Sequence, residues 1–334
     1  MNWNDTIISI TLPIDVVKYI FLLGIGLSIP IVYRVLDFLW LYFLRPSSVK
    51  RYLHGNASYA VVTGATDGIG KATAAELLTR GFNVILHGRN EAKMQRVVDE
   101  LRAAVRGQEK AEKADIRYFI ADAAKSGHDF AKMVAPFKGL HITVVIHNVG
   151  GSDLLPQRID QHTEEYLTSV VNKNAFFSLF LTRALLPQLR RAAHSGPVQV
   201  LFVGSLAGDI APPRVPLYAA SKGFLQALTR GLDNDEEFFA RPTGVHFTYL
   251  VVGAVHSDNH DVPMSPSLTV PTSARFARAV VEAVGCGRRR IAPYYVHAVQ
   301  SYFVELVGER ITDNMSAQEM GGLIKQAVKA RGEK

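Results

Sequence analysis

The pattern of apolar and polar positions divides the chain into stretches of different character. From Tyr19 to Tyr33 run fifteen uncharged residues, YIFLLGIGLSIPIVY, and after Arg34 comes VLDFLWLYFL, closed by Arg45. Residues 46–57 are polar and turn-rich and read as a linker. From there on, short apolar runs of strand length alternate with stretches of helical period. Ala60-Val61-Val62 is followed by Gly64, Gly68 and Gly70 and by the helical pattern KATAAELLTR; Gly81 ends it, and NVILH gives a second strand. Further strands are IRYFIAD, ending at Asp122, ITVVIHNVGG, running into Asn148 and Gly150, PVQVLFVG, ending at Ser205, and VHFTYLVVG, ending at Gly253. A helical stretch over about 160–193 and another holding PLYAASKGFLQALTRGL lie between them.

Repeated βα units predict an α/β fold, a Rossmann-type doubly wound parallel sheet covered on both faces and preceded by an N-terminal membrane helix or hairpin. The expected organisation is a membrane anchor over 1–45, a linker over 46–57, a Rossmann-type domain over 58–310 and a C-terminal tail over 311–334. In such sheets ligands sit beyond the carboxyl ends of the strands. Gly64, Asn148, Ser205 and Gly253 all fall there.

A bilayer core needs about 20 apolar residues in a helix, so the run from Tyr19 to Tyr33 is short by itself. Lys18 and Arg34 can snorkel at its ends and extend it. One spanning helix is the first reading. A hairpin bent at Pro30, a span followed by an interfacial helix, and a buried core helix are the alternatives. A cleaved signal peptide is disfavoured, because MNWND carries no basic cluster and no small-residue cleavage site precedes a polar start. Arg45, Lys50 and Arg51 follow the segment, against Asp5, Asp15 and Lys18 before it, which puts the rest of the chain in the cytosol. The single cysteine, Cys286, excludes an intrachain disulfide and fits a reducing compartment.

Composition adds little to the fold but narrows the partners. With 48% hydrophobic and 20% charged residues the chain has material for a sizeable core. The net charge of +7 is concentrated at Arg34, Arg45, Lys50 and Arg51 and in the run Arg288-Arg289-Arg290. No basic stripe is interleaved with aromatics, which argues against nucleic acid. A membrane surface or an anionic ligand accounts for the charge better.

The glycine turn carries the first chemistry. A helix N-terminus presents free N–H groups and partial positive charge to phosphate, and side chains in the turn would keep a pyrophosphate away. The spacing is Thr63-Gly64-x-x-x-Gly68-x-Gly70 rather than GxGxxG. The second strand ends in His87-Gly88-Arg89-Asn90, with no acid for the ribose hydroxyls of NAD. Arg89 can pair instead with the 2′-phosphate of NADP; the plainer alternative is a solvated loop arginine. Tyr218 and Lys222, four residues apart, share a helix face. A phenol has a pKa near 10, and a neighbouring ammonium lowers it, which makes the pair a tunable acid/base. Ser205, thirteen residues earlier, can hold a carbonyl oxygen while Tyr218 protonates it and a nicotinamide delivers hydride to the carbon.

Together, TGATDGIG at 63–70, Asp122, HNVG at 147–150, Asn174 in VNKNAFF, Ser205 in FVGSLAG and YAASK at 218–222 resemble the short-chain dehydrogenase/reductase family over about residues 56–300. The resemblance implies Tyr218 as acid/base, Lys222 as the group that acidifies it and holds the ribose, and Ser205 as substrate-orienting. Asn174 would hold a water in a proton relay. Asn172 competes for that role, but Asn174 has the family spacing, thirteen residues before Pro187. NADPH/NADP+ is the implied cofactor, held by Thr63, Gly64, Thr66, Asp67, Gly68, Ile69, Gly70, Asn148, Gly150, Gly253 and Val255 besides Tyr218 and Lys222. Asp122 would contact the adenine and Arg89 the 2′-phosphate. Two departures stand out. His147 and Val149 occupy positions of the family's NNAG, and Val252-Gly253 replaces its PG, a loss expected to loosen the nicotinamide contact.

The apolar segment ahead of TGATDGIGKA, with GSLAGDIAPPRVPLYAASKGFLQAL and IAPYYVHAVQSYFVE, resembles the membrane-bound branch of very-long-chain 3-oxoacyl-CoA reductases and 17β-hydroxysteroid dehydrogenase type 12-like relatives. That implies reduction of a 3-oxoacyl-CoA in fatty acid elongation at the endoplasmic reticulum membrane, catalytic domain in the cytosol, with elongase-complex partners and a homo-oligomer as further expectations. A steroid, a 3-ketosphinganine or another specialised lipid ketone is the alternative substrate, and a non-catalytic NADP-binding scaffold in a membrane complex the alternative of another class. No metal is expected. The cluster His256, Asp258, His260 and Asp261 lies where the family has its substrate loop and shows no third ligand group. Tyr294, Tyr295, Tyr302 and Phe303 read as core or interfacial residues before they read as a lipid tunnel.

Overall fold

The computed structural model describes residues 13–239, 241–257, 262 and 264–332. The chain forms two compact units, with the boundary between Pro46 and Ser47. The first holds helix α1 (Ile14–Leu39), continued by a π-helical turn over Trp40–Leu44. The helix runs unbroken through Pro30, so no hairpin turns there. None of its residues is buried, and Ile14–Leu44 is long and apolar enough to cross a membrane.

The second unit is built on seven parallel strands, β1 (Ser58–Val62), β2 (Asn83–Gly88), β3 (Ile116–Ile120), β4 (His141–His147), β5 (Val198–Val203), β6 (Val245–Leu250) and β7 (Arg290–Ile291), in the order β3-β2-β1-β4-β5-β6-β7. The helices between them are α2 (Gly68–Thr79), α3 (Glu91–Ala104), the short α4 (Glu109–Glu112) and α5 (Phe130–Val134), α6 (Glu164–Val171), α7 (Phe177–Ala192), the single turn α8 (Ala207–Ile210), α9 (Pro216–Phe238) and α10 (Ser273–Glu282); α11 (Tyr295–Val307) and α12 (Glu309–Gly332) follow β7. Because helices cover both faces, β1 and β5 are buried at every residue instead of alternating. Strand order reverses between β1 and β4, and such a switch point opens a crevice at the carboxyl edge. Val62 pairs with both Leu86 and Ile146, so the glycine turn, the end of β2 and Asn148 come out level on that edge.

Two segments expected to be a linker and a tail are packed against the rest of the second unit. In residues 46–57, Val49 and Tyr52 are buried. The Tyr52 hydroxyl donates to Gln199 Oε1 at 3.0 Å, and burial pushes its phenol up to about 12. His54 Nε2 lies 2.9 Å from the Pro197 carbonyl and its Nδ1 2.9 Å from His141 Nε2, an arrangement that two Nε2–H tautomers satisfy completely. Residues 311–332 continue the helix α12, which buries Thr312, Ser316, Met320 and Ala327 along one side. Near its end Arg331 donates to the Leu154 carbonyl at 3.0 Å. The tyrosine group divides: Tyr294 is buried, whereas Tyr302 and Phe303 are exposed on α11.

Candidate active site

The crevice begins at the glycine turn. Gly64 and Gly68 have φ of +65° and +46°, where a side chain is strained. A Cβ on Gly70 would lie 2.2 Å from the Gly64 carbonyl oxygen, so the helix start can approach the strand this closely only with glycine. Asp67 caps α2, its Oδ1 accepting the Gly68 N–H at 2.7 Å. Burial works to raise the Asp67 carboxyl, but Lys93, 2.7 Å from Oδ2, and the Gly68 N–H outweigh it and hold it below the usual carboxylate range. Thr66 packs where a Cβ on Gly88 would stand, and Ile69 is half-buried in the first turn of α2. Thr63 and Asn148 lock the two central strands together. Thr63 Oγ1 accepts from the N–H groups of Asn148 (2.9 Å) and Val149 (3.0 Å), and the Asn148 amide returns a bond to the Thr63 carbonyl at 3.1 Å. A backbone cradle at a helix N-terminus, free of side chains at three positions, fits a dinucleotide pyrophosphate.

Toward the adenosine side, Arg89 is exposed just past β2 and has no partner among the described residues. Asn90 caps α3 by accepting the Lys93 N–H at 2.8 Å. Asp122 is half-buried past β3, with Oδ1 accepting from the Ala124 N–H at 3.1 Å.

At the other end, α9 starts at Pro216, which suits the first helical position, and brings Tyr218 and Lys222 onto one face. Lys222 is 3% exposed; its Nζ donates to the Val203 carbonyl at 2.9 Å and stands 5.4 Å from the centre of the Tyr218 ring. Burial, with help from Lys173, lowers the Lys222 ammonium to about 8. The Ser205 side chain is the neighbour that favours the Tyr218 phenolate, working against burial. Ser205 is itself held, since its N–H donates to Tyr249 Oη at 3.2 Å. Gly204 makes room, because a Cβ there would lie 2.0 Å from the Tyr249 ring.

One expectation needs correcting. The phenol of Tyr218 is not acidified in this arrangement: desolvation raises it above its ordinary 10, and the Ser205 hydrogen bond pulls it back only in part. The role expected of Asn174 also changes in detail. It is buried in a π-helical turn, Asn172–Phe176, between α6 and α7, a device common at functional sites. Its amide donates to the carbonyls of Gly151 (3.0 Å) and Val170 (2.9 Å), and its Oδ1 accepts the Gly151 N–H at 2.9 Å. Both amide protons are therefore taken by the fold. A Cβ on Gly150 would lie 2.8 Å from Asn174 Oδ1 and 3.2 Å from Lys222 Nζ, so these three residues share one corner. Asn172 points elsewhere, donating to the Ala124 carbonyl at 3.3 Å.

Four contributors escape sequence reasoning. His87 Nδ1 faces the Gly64 N–H at 3.3 Å while Nε2 meets the Ala121 carbonyl at 3.0 Å; burial drops this ring to about 4, so it stays neutral and can do both. Lys93 and Tyr249 are described above. The fourth, His297 of α11, holds the segment after β6, with Nδ1 3.2 Å from the Gly253 N–H and Nε2 3.1 Å from the Ala254 carbonyl. That clamp stands next to Val252, where the family's proline is missing. Val255, next in line, is 2% exposed. His147 is also buried, stacked on Phe202 with ring centres 4.8 Å apart and bonded to Thr182 Oγ1 at 2.7 Å. Of the His256 cluster, Asp258, His260 and Asp261 lie outside the described residues, and His256 Nδ1 is 2.5 Å from the Met264 carbonyl. Among the described residues no group of three metal-ligating side chains occurs.

A switch-point crevice with a glycine cradle at one end and a Ser–Tyr–Lys cluster at the other defines an oxidoreductase of the nicotinamide-dependent, single-sheet kind. The chain belongs to the short chain dehydrogenase family, whose profile matches residues 58–262. It is 32% identical to the very-long-chain 3-oxoacyl-CoA reductase of Kluyveromyces lactis over 297 residues, 84% of this chain and 82% of the relative. It is also 32% identical to that of Schizosaccharomyces pombe over 274 residues, covering 79% and 77%. Among solved structures it is similar in fold to a bulky-ketone alcohol dehydrogenase from Comamonas testosteroni (TM-score 0.59, 20% identity, 75% of this chain and 91% of that one). A 7β-hydroxysteroid dehydrogenase gives TM-score 0.65 at 19% identity, covering 81% and 98%.

Proposed function

We propose that this enzyme reduces the ketone of a 3-oxoacyl-CoA to the 3-hydroxyacyl-CoA with NADPH, within very-long-chain fatty acid elongation. The observation that carries the chemistry is the buried Lys222 on the helix face of Tyr218, its Nζ 5.4 Å from the centre of the phenol ring, with Ser205 acting on that phenol from the end of β5. The substrate class is supported by relatives named very-long-chain 3-oxoacyl-CoA reductase that match four fifths of the chain. The preference for NADPH is supported by Arg89, exposed at the end of β2 where an acid would exclude a phosphate.

The nicotinamide supplies the hydride when bound. Ser205 and Tyr218 share the carbonyl oxygen of the substrate, and Tyr218, protonated at neutral pH because burial raises its pKa, passes its proton to the oxygen as charge develops there. Lys222, still largely cationic at pH 7, then faces the phenolate that is left and stabilises it. Asn174, anchored on the Val170 carbonyl, keeps the Gly150–Gly151 turn against Lys222 through two hydrogen bonds with Gly151 and so fixes the floor of the site.

We further propose that α1 spans the endoplasmic reticulum membrane with the second unit in the cytosol, supported by its exposed apolar surface and by Arg45, Lys50 and Arg51 just after it. Purified full-length protein should oxidise NADPH with a long-chain 3-oxoacyl-CoA and do so much faster than with NADH. Turnover of a steroid ketone in place of the acyl-CoA would replace the substrate assignment, and no turnover of any lipid ketone would favour the scaffold reading.

A further inference from the structure

The sheet's amino-terminal edge, opposite the crevice, presents exposed aromatics together with exposed cations. The turns before β5, β6 and β7 all lie there, and the segment Ser47–Leu53 is fastened to it by Tyr52 on Gln199. At the end of α9, Phe238 and Phe239 are 69% and 81% exposed, whereas Phe202 of β5 and Phe247 of β6 are fully buried. The Arg289 guanidinium lies 5.2 Å from the centre of the Phe238 ring and props it outward, while its Nε holds Asp233 at 2.5 Å. Acids at this edge are drawn inward. Asp233 is tied to Arg289, and Glu236 to Arg190 at 2.5 Å and Thr243 at 2.6 Å. Lys50, Arg51, Arg191 and Arg241 are left exposed with no ion pair among the described residues, against exposed Asp235 and a half-buried Glu237 that has His246 at 4.0 Å. Two adjacent exposed aromatics on an edge that also carries these cations match the boundary between acyl chains and anionic headgroups.

Chain length says which surface is in reach. The apolar segment ends at Leu44, and Val49, five residues on, is already packed in the second unit at 1% exposure. Five extended residues span at most about 18 Å. We propose that this edge docks on a bilayer carrying anionic lipid, with Phe238 and Phe239 inserted among the headgroups and Lys50, Arg51, Arg191 and Arg241 paired with lipid phosphates. The inference rests on α1 as a membrane span. Its consequence is that the crevice opens away from the bilayer, toward the cytosol. A lipid ketone must therefore reach Tyr218 by a carbonyl end drawn out of the membrane on a soluble carrier, as a thioester is.

The test uses full-length protein in vesicles of phosphatidylcholine with or without phosphatidylserine, in a Cys286→Ser background. An environment-sensitive fluorophore is placed at Phe239→Cys, and in a control at Ser126→Cys on the crevice edge. Bromine-labelled lipid should quench the probe at 239, more strongly with phosphatidylserine present, and leave the probe at 126 untouched. Arg191→Glu with Arg241→Glu should abolish the dependence on phosphatidylserine. Docking is overturned by a water-exposed, unquenched probe at 239 in a chain that carbonate washing leaves in the membrane. It is equally overturned by a blue-shifted but unquenched probe, which would mean that a second copy or another protein covers the dipeptide. Quenching at 239 in a chain that carbonate releases would uphold the docking face and refute the span.

Discussion

Lys222 is 3% exposed with its ammonium on the Val203 carbonyl, whereas Arg89, at the other end of the same crevice, stands in solvent past β2. At the Tyr218 end the fold supplies the order before any ligand arrives: Ser205 is pinned by Tyr249, Asn174 by Gly151 and Val170, and Gly253 by His297. At the Arg89 end the side chain must be ordered by what it binds, and that entropy is lost on binding. Substitutions at the first end should therefore act on rate, and those at the second on cofactor affinity and choice.

The largest effect is expected from Tyr218→Phe, which removes only the proton donor. General acid catalysis contributes on the order of 10²–10⁴ in rate, so kcat should fall by about that much while NADPH affinity, measured by fluorescence titration, stays unchanged. A substantial loss of NADPH affinity instead would mean that the phenol's main work is in binding, and the contrast between the two ends would collapse.

The pH dependence sharpens the same point. Lys222 has its pKa lowered from 10.5 to about 8, first by burial and then by Lys173. Below pH 8 it is cationic and can stabilise the Tyr218 phenolate; above it the charge is lost. kcat/KM for reduction should be level up to about pH 8 and then fall tenfold per unit. Stability should move the other way. The unfolded chain binds the Lys222 proton more tightly than the folded one, so this group makes folding more favourable as pH rises from about 8 to 10.5. Activity and denaturation midpoints that decline together above pH 8 would assign the loss to unfolding rather than to Lys222.

Arg89→Ala tests the exposed end. A hydrogen bond to a charged group is worth about 1.5–3 kcal/mol, which corresponds to a loss of roughly tenfold or more in NADPH affinity. kcat at saturating cofactor and affinity for NADH should hardly change. Lys93 is near enough to share the task, since it borders the same turn through Asp67; a weak effect of Arg89→Ala that deepens in the double variant with Lys93→Ala would move the phosphate site toward α3.

What the sequence discloses here follows the range of each signal. Gly64, Gly68 and Gly70, or Tyr218 and Lys222, lie within a turn or two of one another, so spacing alone carries their geometry. Parallel strands buried on both faces read as unbroken apolar runs, which made the sheet legible. The bonds that tune the site join residues far apart in the chain: Gly64 with His87 across 23 positions, Asp67 with Lys93 across 26, and Ser205 with Tyr249 and Gly253 with His297 across 44 each. No local pattern marks such a pair, because each partner is chosen by how two elements pack. Helix α12 escaped for another reason, since the side it buries presents Thr312, Ser316, Met320 and Ala327, small or mixed residues with no apolar period. The sign of the shift at Tyr218 depends on burial weighed against a neighbour's charge, and sequence gives the neighbour without the burial.

The smallest predicted effect separates tuning from chemistry. His297 touches no reacting atom, yet both its nitrogens face the Gly253–Ala254 backbone, and burial lowers its pKa so that one nitrogen stays free to accept. His297→Ala removes two hydrogen bonds of about 1 kcal/mol each and leaves the segment before Val255 without its clamp. With that segment proposed as the border of the cofactor and not of the proton donor, KM for the cofactor should rise several-fold, about 1 kcal/mol, while kcat changes less than twofold. His297→Gln, which keeps an acceptor and a donor near the same places, should recover part of the loss. If kcat fell as far as in Tyr218→Phe, the clamp would be positioning the reacting groups themselves, and the boundary between the preformed end of the crevice and its ligand-ordered end would have to be drawn on the other side of β6.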